Sequence, residues 1–324
     1  MITLEEAKKI IARELNALEI QGSPDELYEP IRYILSGEGK RIRPALTLLA
    51  CSMYSEDVTP AILPAIGLEM FHTFTLVHDD IMDNASLRRN KETIHKRWNT
   101  NLAILAGDAL FIKAYEKVMQ CPPALFADIF WIFNHTALRV CEGQQYDMNF
   151  EQREEVGEDE YLKMIELKTA VLIGACLQIG ALIGGAPKKD ALTLYEFGRC
   201  IGIAFQLQDD LLDVYAQTQA LGKETGKDIV ANKKTYLLIK ALQKARPDQL
   251  SRLKSWLSRK NFNPQEKITV ITRLYDELRV ADECKSLIEK YHAEARQYLH
   301  SLPVKEEKKE ELLQFANQLK TRQF

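Results

Sequence analysis

The chain has 324 residues, enough to bury a large core as one domain or as two. With 46% hydrophobic and 27% charged residues its composition is that of a globular protein. The formal net charge of −3 excludes the broadly basic footprint of a nucleic-acid-binding protein, although basic residues cluster locally.

In chain order, the opening segment MITLEEAKKIIARELNALE interleaves acids and bases on a helical period and lacks the apolar stretch of a signal peptide. Breakers at QGSPDE (21–26), SGEGKRIRP (36–44) and SEDVTP (55–60) bound the next two predicted helices. A long apolar helix then runs up to the acids at 79–83. Further breaks fall at CPPA (121–124), REEVGEDE (153–160), GGAPKKD (184–190), RPD (246–248), NFNPQ (261–265) and SLP (301–303). Strand-type alternation never persists beyond four residues. The longest polar connection, residues 219–234, is rich in Gly and Lys, and loops of that length inside compact domains are often functional. The prediction is an all-α single domain over 1–324, a bundle of ten or more helices. The apolar run from Ala170 to Ala186 contains Gln178 and four glycines, so it reads as a core helix and not a membrane span. The six cysteines show no ligand spacing and read as buried thiols of a reduced, cytoplasmic protein.

Two stretches carry the chemistry. LVHDDIMDNASLRRN (76–90) holds Asp79, Asp80 and Asp83, and FQLQDDLLDVYA (205–216) holds Asp209, Asp210 and Asp213. Residues four apart share a helix face, so Asp79 points with Asp83, and Asp209 with Asp213, while Asp80 is turned aside by roughly 100°. Two such pairs facing a common cavity would form a strongly negative, oxygen-rich site. Mg²⁺ suits that environment, since it binds one or two carboxylates together with substrate phosphates.

Cations stand near both acid motifs. GEGKRIRP offers Lys40, Arg41 and Arg43, SLRRN offers Arg88 and Arg89, and ELKTA places Lys168 beside an apolar helix. The loop after the second motif carries Lys223, Lys227, Lys233 and Lys234. Arginine forks and lysine charges are the ordinary partners of phosphate oxygens. Acids, a divalent ion and bases together describe a diphosphate site. GKETGKD is not a P-loop, because Asp228 stands where Ser or Thr would follow Lys227.

DDIMD followed by LRR, KTA, FQLQDDLLD and GKETGKDIVANKKT, with GKRIRP before them, resembles the trans-prenyltransferases (E-isoprenyl diphosphate synthases) from about residue 39 to 235. The resemblance implies the isoprenoid synthase fold, an all-α domain around a deep central cavity, usually homodimeric. It implies head-to-tail condensation of isopentenyl diphosphate with allylic diphosphates, using Mg²⁺. By motif, Asp79, Asp83 and Asp209 would hold the metals, supported by Asp80 and Asp213. Arg88, Lys168, Lys223 and Lys233 would bind the allylic diphosphate. Lys40, Arg43, His72 and Arg89 would bind isopentenyl diphosphate, and Thr169 and Gln206 would sit beside the reacting carbons. Two departures stand out. Asn90 replaces the usual Gly after the paired arginines, a position where Asn tolerates left-handed backbone. The GKETG segment is one residue longer, which loosens the placement of Lys223.

In this family the product stops growing against the helix before the first acids. Phe71, Phe74, Thr75 and His78 form one stripe at helical spacing leading to Asp79, with Phe74 as the floor. The expected product is short, C20 ahead of C15. A class I terpene cyclase and a non-catalytic subunit of a heteromeric prenyl synthase are the alternatives. Isopentenyl diphosphate consumption separates the first, and the retention of both acid motifs and their bases weighs against the second.

Overall fold

The computed structural model describes residues 1–37, 39–216 and 225–320. It is all-α. The helices are α1 (Leu4–Asn16), α2 (Asp25–Leu35), α3 (Ile42–Ser52), α4 (Thr59–Met82), α5 (Ile94–Arg97), α6 (Thr100–Val118), α7 (Phe126–Gln152) and α8 (Glu158–Ile165). After a π-helical turn at Glu166–Ala170 come α9 (Val171–Ile183), α10 (Lys188–Tyr215), α11 (Lys227–Val230) and α12 (Tyr236–Lys244). The last are α13 (Pro247–Ser258), α14 (Pro264–Leu278), α15 (Val280–Ser301) and α16 (Glu310–Lys320). Two features escape the sequence reading. A two-stranded hairpin pairs Leu87–Arg88 with Lys91–Glu92, and the short helix α11 lies inside the polar stretch expected to be loop.

The helices gather into two compact units. The first comprises residues 1–135, 175–195 and 303–311, and the second residues 136–174, 196–302 and 312–324. In the first unit α4 packs most extensively on α6. Gly67 makes this close approach possible, because a Cβ there would lie 2.6 Å from the Val118 backbone nitrogen. Local signals set the helix starts. Thr3 and Glu6 form a capping box at α1, and Asn99 caps α6 through the Leu102 N–H. The second unit has its own core, including Tyr161, Leu207, Leu237, Leu253, Leu274 and Ile288.

Two helical segments, Thr59–Met82 and Glu158–Ile183, are long and apolar enough to cross a membrane, and 67% and 78% of their apolar windows are buried in the fold. Their apolar surface is already committed to protein cores. Five cysteines are buried as free thiols; Cys141 is exposed, against expectation, because its helix face is open to solvent at that turn.

Candidate active site

The first acid motif closes α4. Asp79 is half-buried on the last turn, Asp80 is buried and Asp83 is the exposed C-cap residue. Left-handed residues Asn84, Arg89 and Asn90 then turn the chain through the hairpin and bring Arg88 back over the helix end. The expectation for Asn90 holds, with φ 62°. Arg88 Nε donates to Asp80 Oδ1 at 2.6 Å, and Nη2 to Asp79 Oδ2 at 3.3 Å. Burial raises the Asp80 carboxyl above its ordinary value, and Arg88 opposes that rise.

A cationic cluster lies in the same unit. Arg43 Nη1 donates to His72 Nε2 at 3.1 Å. Burial, then Arg43, Arg89, Arg88 and Arg41, hold His72 well below its ordinary pKa, so the ring is neutral and accepts from Arg43. Gly39 leaves room for Arg89, whose Nη1 would lie 2.7 Å from a Cβ at that position. Lys40 is exposed beside it. Thus Arg43, His72 and Arg89 lie in one cluster, and Lys40 follows Gly39 at its edge. Arg41 and the buried Glu69, which pair at 2.7 Å, join them without having been singled out as site residues.

Beneath the first motif lies an aromatic nest. Phe74 stacks on Phe111 of α6, with centroids 4.8 Å apart and planes 13° apart, and meets Phe71 at 5.7 Å and His78 at 4.7 Å. Thr75 turns its hydroxyl back to the His72 carbonyl at 2.8 Å. Phe111 had no signal in the sequence, since it stands on another helix far from any motif.

The second motif, late in α10, repeats the pattern within the second unit. Asp209 and Asp213 are half-buried, and Asp210 is buried. Asp210 Oδ2 accepts from the Tyr161 hydroxyl and from the Tyr236 N–H at 3.3 Å. Burial pushes its carboxyl up to about 7 despite those donors. Asp213 Oδ2 accepts from the Asp228 N–H at 3.0 Å, which ties α10 to the start of α11. Burial raises the Asp228 carboxyl; Lys233 opposes the rise, while Asp213 and Asp147 add to it.

Lys168 and Thr169 ride on the π turn, a form that recurs at functional sites. Lys168 Nζ donates to Asp147 Oδ2 at 2.7 Å, and the Thr169 hydroxyl donates to Gln206 Oε1 at 3.4 Å. Two glycines press on this turn. A Cβ on Gly143 would lie 2.3 Å from Lys168 N, and one on Gly202 would lie 2.5 Å from Ala170 Cα. Asp147 follows Gly143 by one helical turn on α7, so GQQYD was a readable signal that the sequence reading passed over. Lys233 is exposed near Asp228, and Lys223 lies outside the described residues.

All the acids offer hard oxygen donors, and among the described residues no three or more His, Cys, Asp or Glu side chains form a metal-holding group. That donor set fits Mg²⁺, which keeps several waters and takes phosphate oxygens alongside one or two carboxylates.

The polyprenyl synthetase family pattern matches residues 24–275. The chain belongs to that family. It is a prenyltransferase. A geranylgeranyl diphosphate synthase of Methanosarcina mazei is 43% identical over 223 residues, 68% of this chain and 69% of that protein. One from Sulfolobus acidocaldarius is 37% identical over 292 residues, covering 88% and 87%. A crystal structure of a geranylgeranyl pyrophosphate synthase superposes with TM-score 0.94 at 41% identity, covering all of both chains. The polyprenyl synthetase match runs through residues of both compact units.

Proposed function

We propose that this polyprenyl synthetase condenses isopentenyl diphosphate with an allylic diphosphate, head to tail, to a short product, C20 ahead of C15. The observation that carries the reading is the cluster of Arg43, His72, Arg88 and Arg89 beside the first acid motif, an anion site next to a cation site. The relatives named above support C20. The continuous family match supports 1–324 as one polyprenyl synthase domain.

Asp79, Asp83 and Asp209 are the proposed metal ligands. Bound Mg²⁺ supplies charge neutralisation for the departing diphosphate. Arg88, Lys168, Lys223 and Lys233 bind and orient the allylic diphosphate. Its C–O bond breaks with both electrons leaving on diphosphate, and these cations stabilise that charge. Lys40, Arg43, His72 and Arg89 hold isopentenyl diphosphate so that its double bond attacks the allylic carbon. The proton lost afterwards passes to the departing diphosphate, so no protein base is assigned. Thr169 and Gln206 position the reacting carbons. Phe74, backed by Phe111 and flanked by Phe71 and Thr75, stops the growing chain.

Exposed Ile104, Leu105, Ile112, Phe126, Phe130 and Trp131 on α6 and α7 support a homodimer joined through that face. The burial of the long apolar helices fits a soluble enzyme, and the free buried thiols fit a reducing cytoplasm.

The test is incorporation of labelled isopentenyl diphosphate with Mg²⁺ and, separately, C5, C10 and C15 allylic primers, the products being dephosphorylated and sized. A single C20 alcohol supports the full reading, and a C15 one corrects its length. Folded protein that incorporates nothing refutes it in favour of a cyclase or a silent subunit.

A further inference from the structure

Arg41 pays for an unusual backbone. It adopts left-handed φ 48° and ψ 35° immediately before α3, a conformation that strains a non-glycine residue. Its guanidinium is spread over three acceptors. Nη1 donates to Glu69 Oε1 at 2.7 Å, while Nη2 donates to the Leu35 carbonyl at 2.8 Å and the Gly37 carbonyl at 2.7 Å. One side chain therefore ties the end of α2 and the following loop to the middle of α4. Its carboxylate partner is buried, at 3% exposure.

The register of these contacts is informative. Glu69 and His72 are three apart on α4 and so lie on one face. Arg41 and Arg43 are two apart at the start of α3. The pairs Arg41–Glu69 and Arg43–His72 form two rungs between the same two segments. The first rung is a buried ion pair; the second joins a guanidinium to a neutral imidazole by a charge-assisted hydrogen bond and is not an ion pair. Glu69 also attracts Arg89, which Arg41 and Arg88 repel. Without Glu69, arginines that converge on one anion site would have less reason to stay converged while that site is empty.

We propose that Arg41 and Glu69 are positioning residues for isopentenyl diphosphate: their pair sets the register in which Arg43, His72 and Arg89 meet that substrate's diphosphate. The proposal rests on the synthase reading above and extends it to two residues that touch no substrate. A lysine at 41 keeps the charge but cannot donate to Glu69 and both carbonyls in the same fixed fork. Replacement of both partners by methionine removes the buried charges together, a change that often leaves stability intact.

The experiment is calorimetric titration of isopentenyl diphosphate into the full-length wild-type chain, Arg41→Lys, Glu69→Gln and the double variant Arg41→Met/Glu69→Met. It is paired with thermal melts and with KM for both substrates. About a tenfold weaker Kd and a matching rise in KM for isopentenyl diphosphate are expected in every variant, with KM for the allylic diphosphate within about twofold. The double variant should recover the wild-type melting temperature and not the affinity. A double variant that recovers both would overturn the proposal, making the pair merely structural. So would unchanged affinity in Arg41→Lys, or equal shifts for both substrates. If either single variant fails to fold, the double variant decides alone; if that fails as well, the pair is structural and the proposal falls. Wild-type protein that binds isopentenyl diphosphate without turning it over refutes the synthase reading and leaves positioning to be decided by the same titrations. Wild-type protein that does not bind it refutes both.

Discussion

Replacing Gly143 by alanine tests whether the π turn is what places Lys168 and Thr169. The added Cβ would lie 2.3 Å from Lys168 N and 2.7 Å from both Leu167 C and Lys168 Cα. All three are backbone atoms, so no side chain can swing away. Relief to ordinary contact requires α7 and the turn to part by about 1 Å, and a shift of that size at a catalytic group costs on the order of a hundredfold in rate. Overpacking costs about 1–3 kcal/mol, which a domain with roughly 5–15 kcal/mol of stability survives. The assay is kcat for incorporation of labelled isopentenyl diphosphate, alongside urea unfolding. Gly184→Ala is the control: its Cβ would lie 2.4 Å from the Cys51 carbonyl oxygen, a comparable backbone collision at the end of α3 opposite to Arg43. Gly143→Ala should lose about a hundredfold in kcat, while Gly184→Ala loses stability alone. If Gly143→Ala keeps its kcat, or if both variants lose activity in proportion to stability, the turn does not do the placing.

The other predictions concern the acids, the floor and pH. Asp79→Ala should lower kcat on the order of a hundredfold or more, yet change stability by no more than about 1 kcal/mol, since its pair with Arg88 is partly exposed; a purely structural loss would appear in the urea midpoint instead. Phe74→Ala should lengthen the product, but only modestly, because the face of Phe111 stands directly behind the lost ring. The double variant with Phe111→Ala should lengthen it further, and chromatography of the alcohols decides; no change in either variant removes this floor. Buried His292 is lowered to about 4, chiefly by burial. Below pH 6.5 the unfolded chain binds a proton there that the folded chain refuses, so stability should fall from pH 6.5 towards 4, by up to about 3 kcal/mol. His292→Leu should reduce that slope in urea titrations, leaving the part of the same sign that His72 adds, and an unaltered slope assigns the pH dependence elsewhere.

Helix type and most helix boundaries were legible because Pro, Gly and capping residues are local signals. The acid motifs and the basic stretches were legible for the same reason. Contacts between distant segments were not. Glu69 reads as one more helical acid until Arg41 arrives from 28 residues earlier. Phe111 and Tyr161 carry no mark in the sequence, since their roles are set by what stacks on the one and accepts from the other. The hairpin at 87–92 was missed because two-residue strands are too short to show alternation. Asp147 differs: its GQQYD context was local and could have been read.

The paired acids raise a physical question of their own, because adjacent carboxylates repel and desolvate badly. Each unit, taken alone, gives the same answer. The middle acid of the motif turns inward and is satisfied by protein donors: Arg88 for Asp80, Tyr161 and the Tyr236 N–H for Asp210. The first acid stays partly exposed, as does the last. One acid is therefore held inside the fold by protein donors while its neighbours stay partly exposed. Arg88 contacts both kinds, 2.6 Å from the anchored Asp80 and 3.3 Å from Asp79. In the proposed synthase, a diphosphate arriving with its cations would take the weaker of these contacts and leave the stronger in place. Asp80→Asn and Asp79→Asn should then differ in kind. The first leaves Arg88 short of its buried counter-charge, and loosens the helix end. The second leaves the fold intact and raises the magnesium concentration that turnover requires. A magnesium titration of kcat beside a thermal melt separates them, and identical behaviour in both would refute the division of labour.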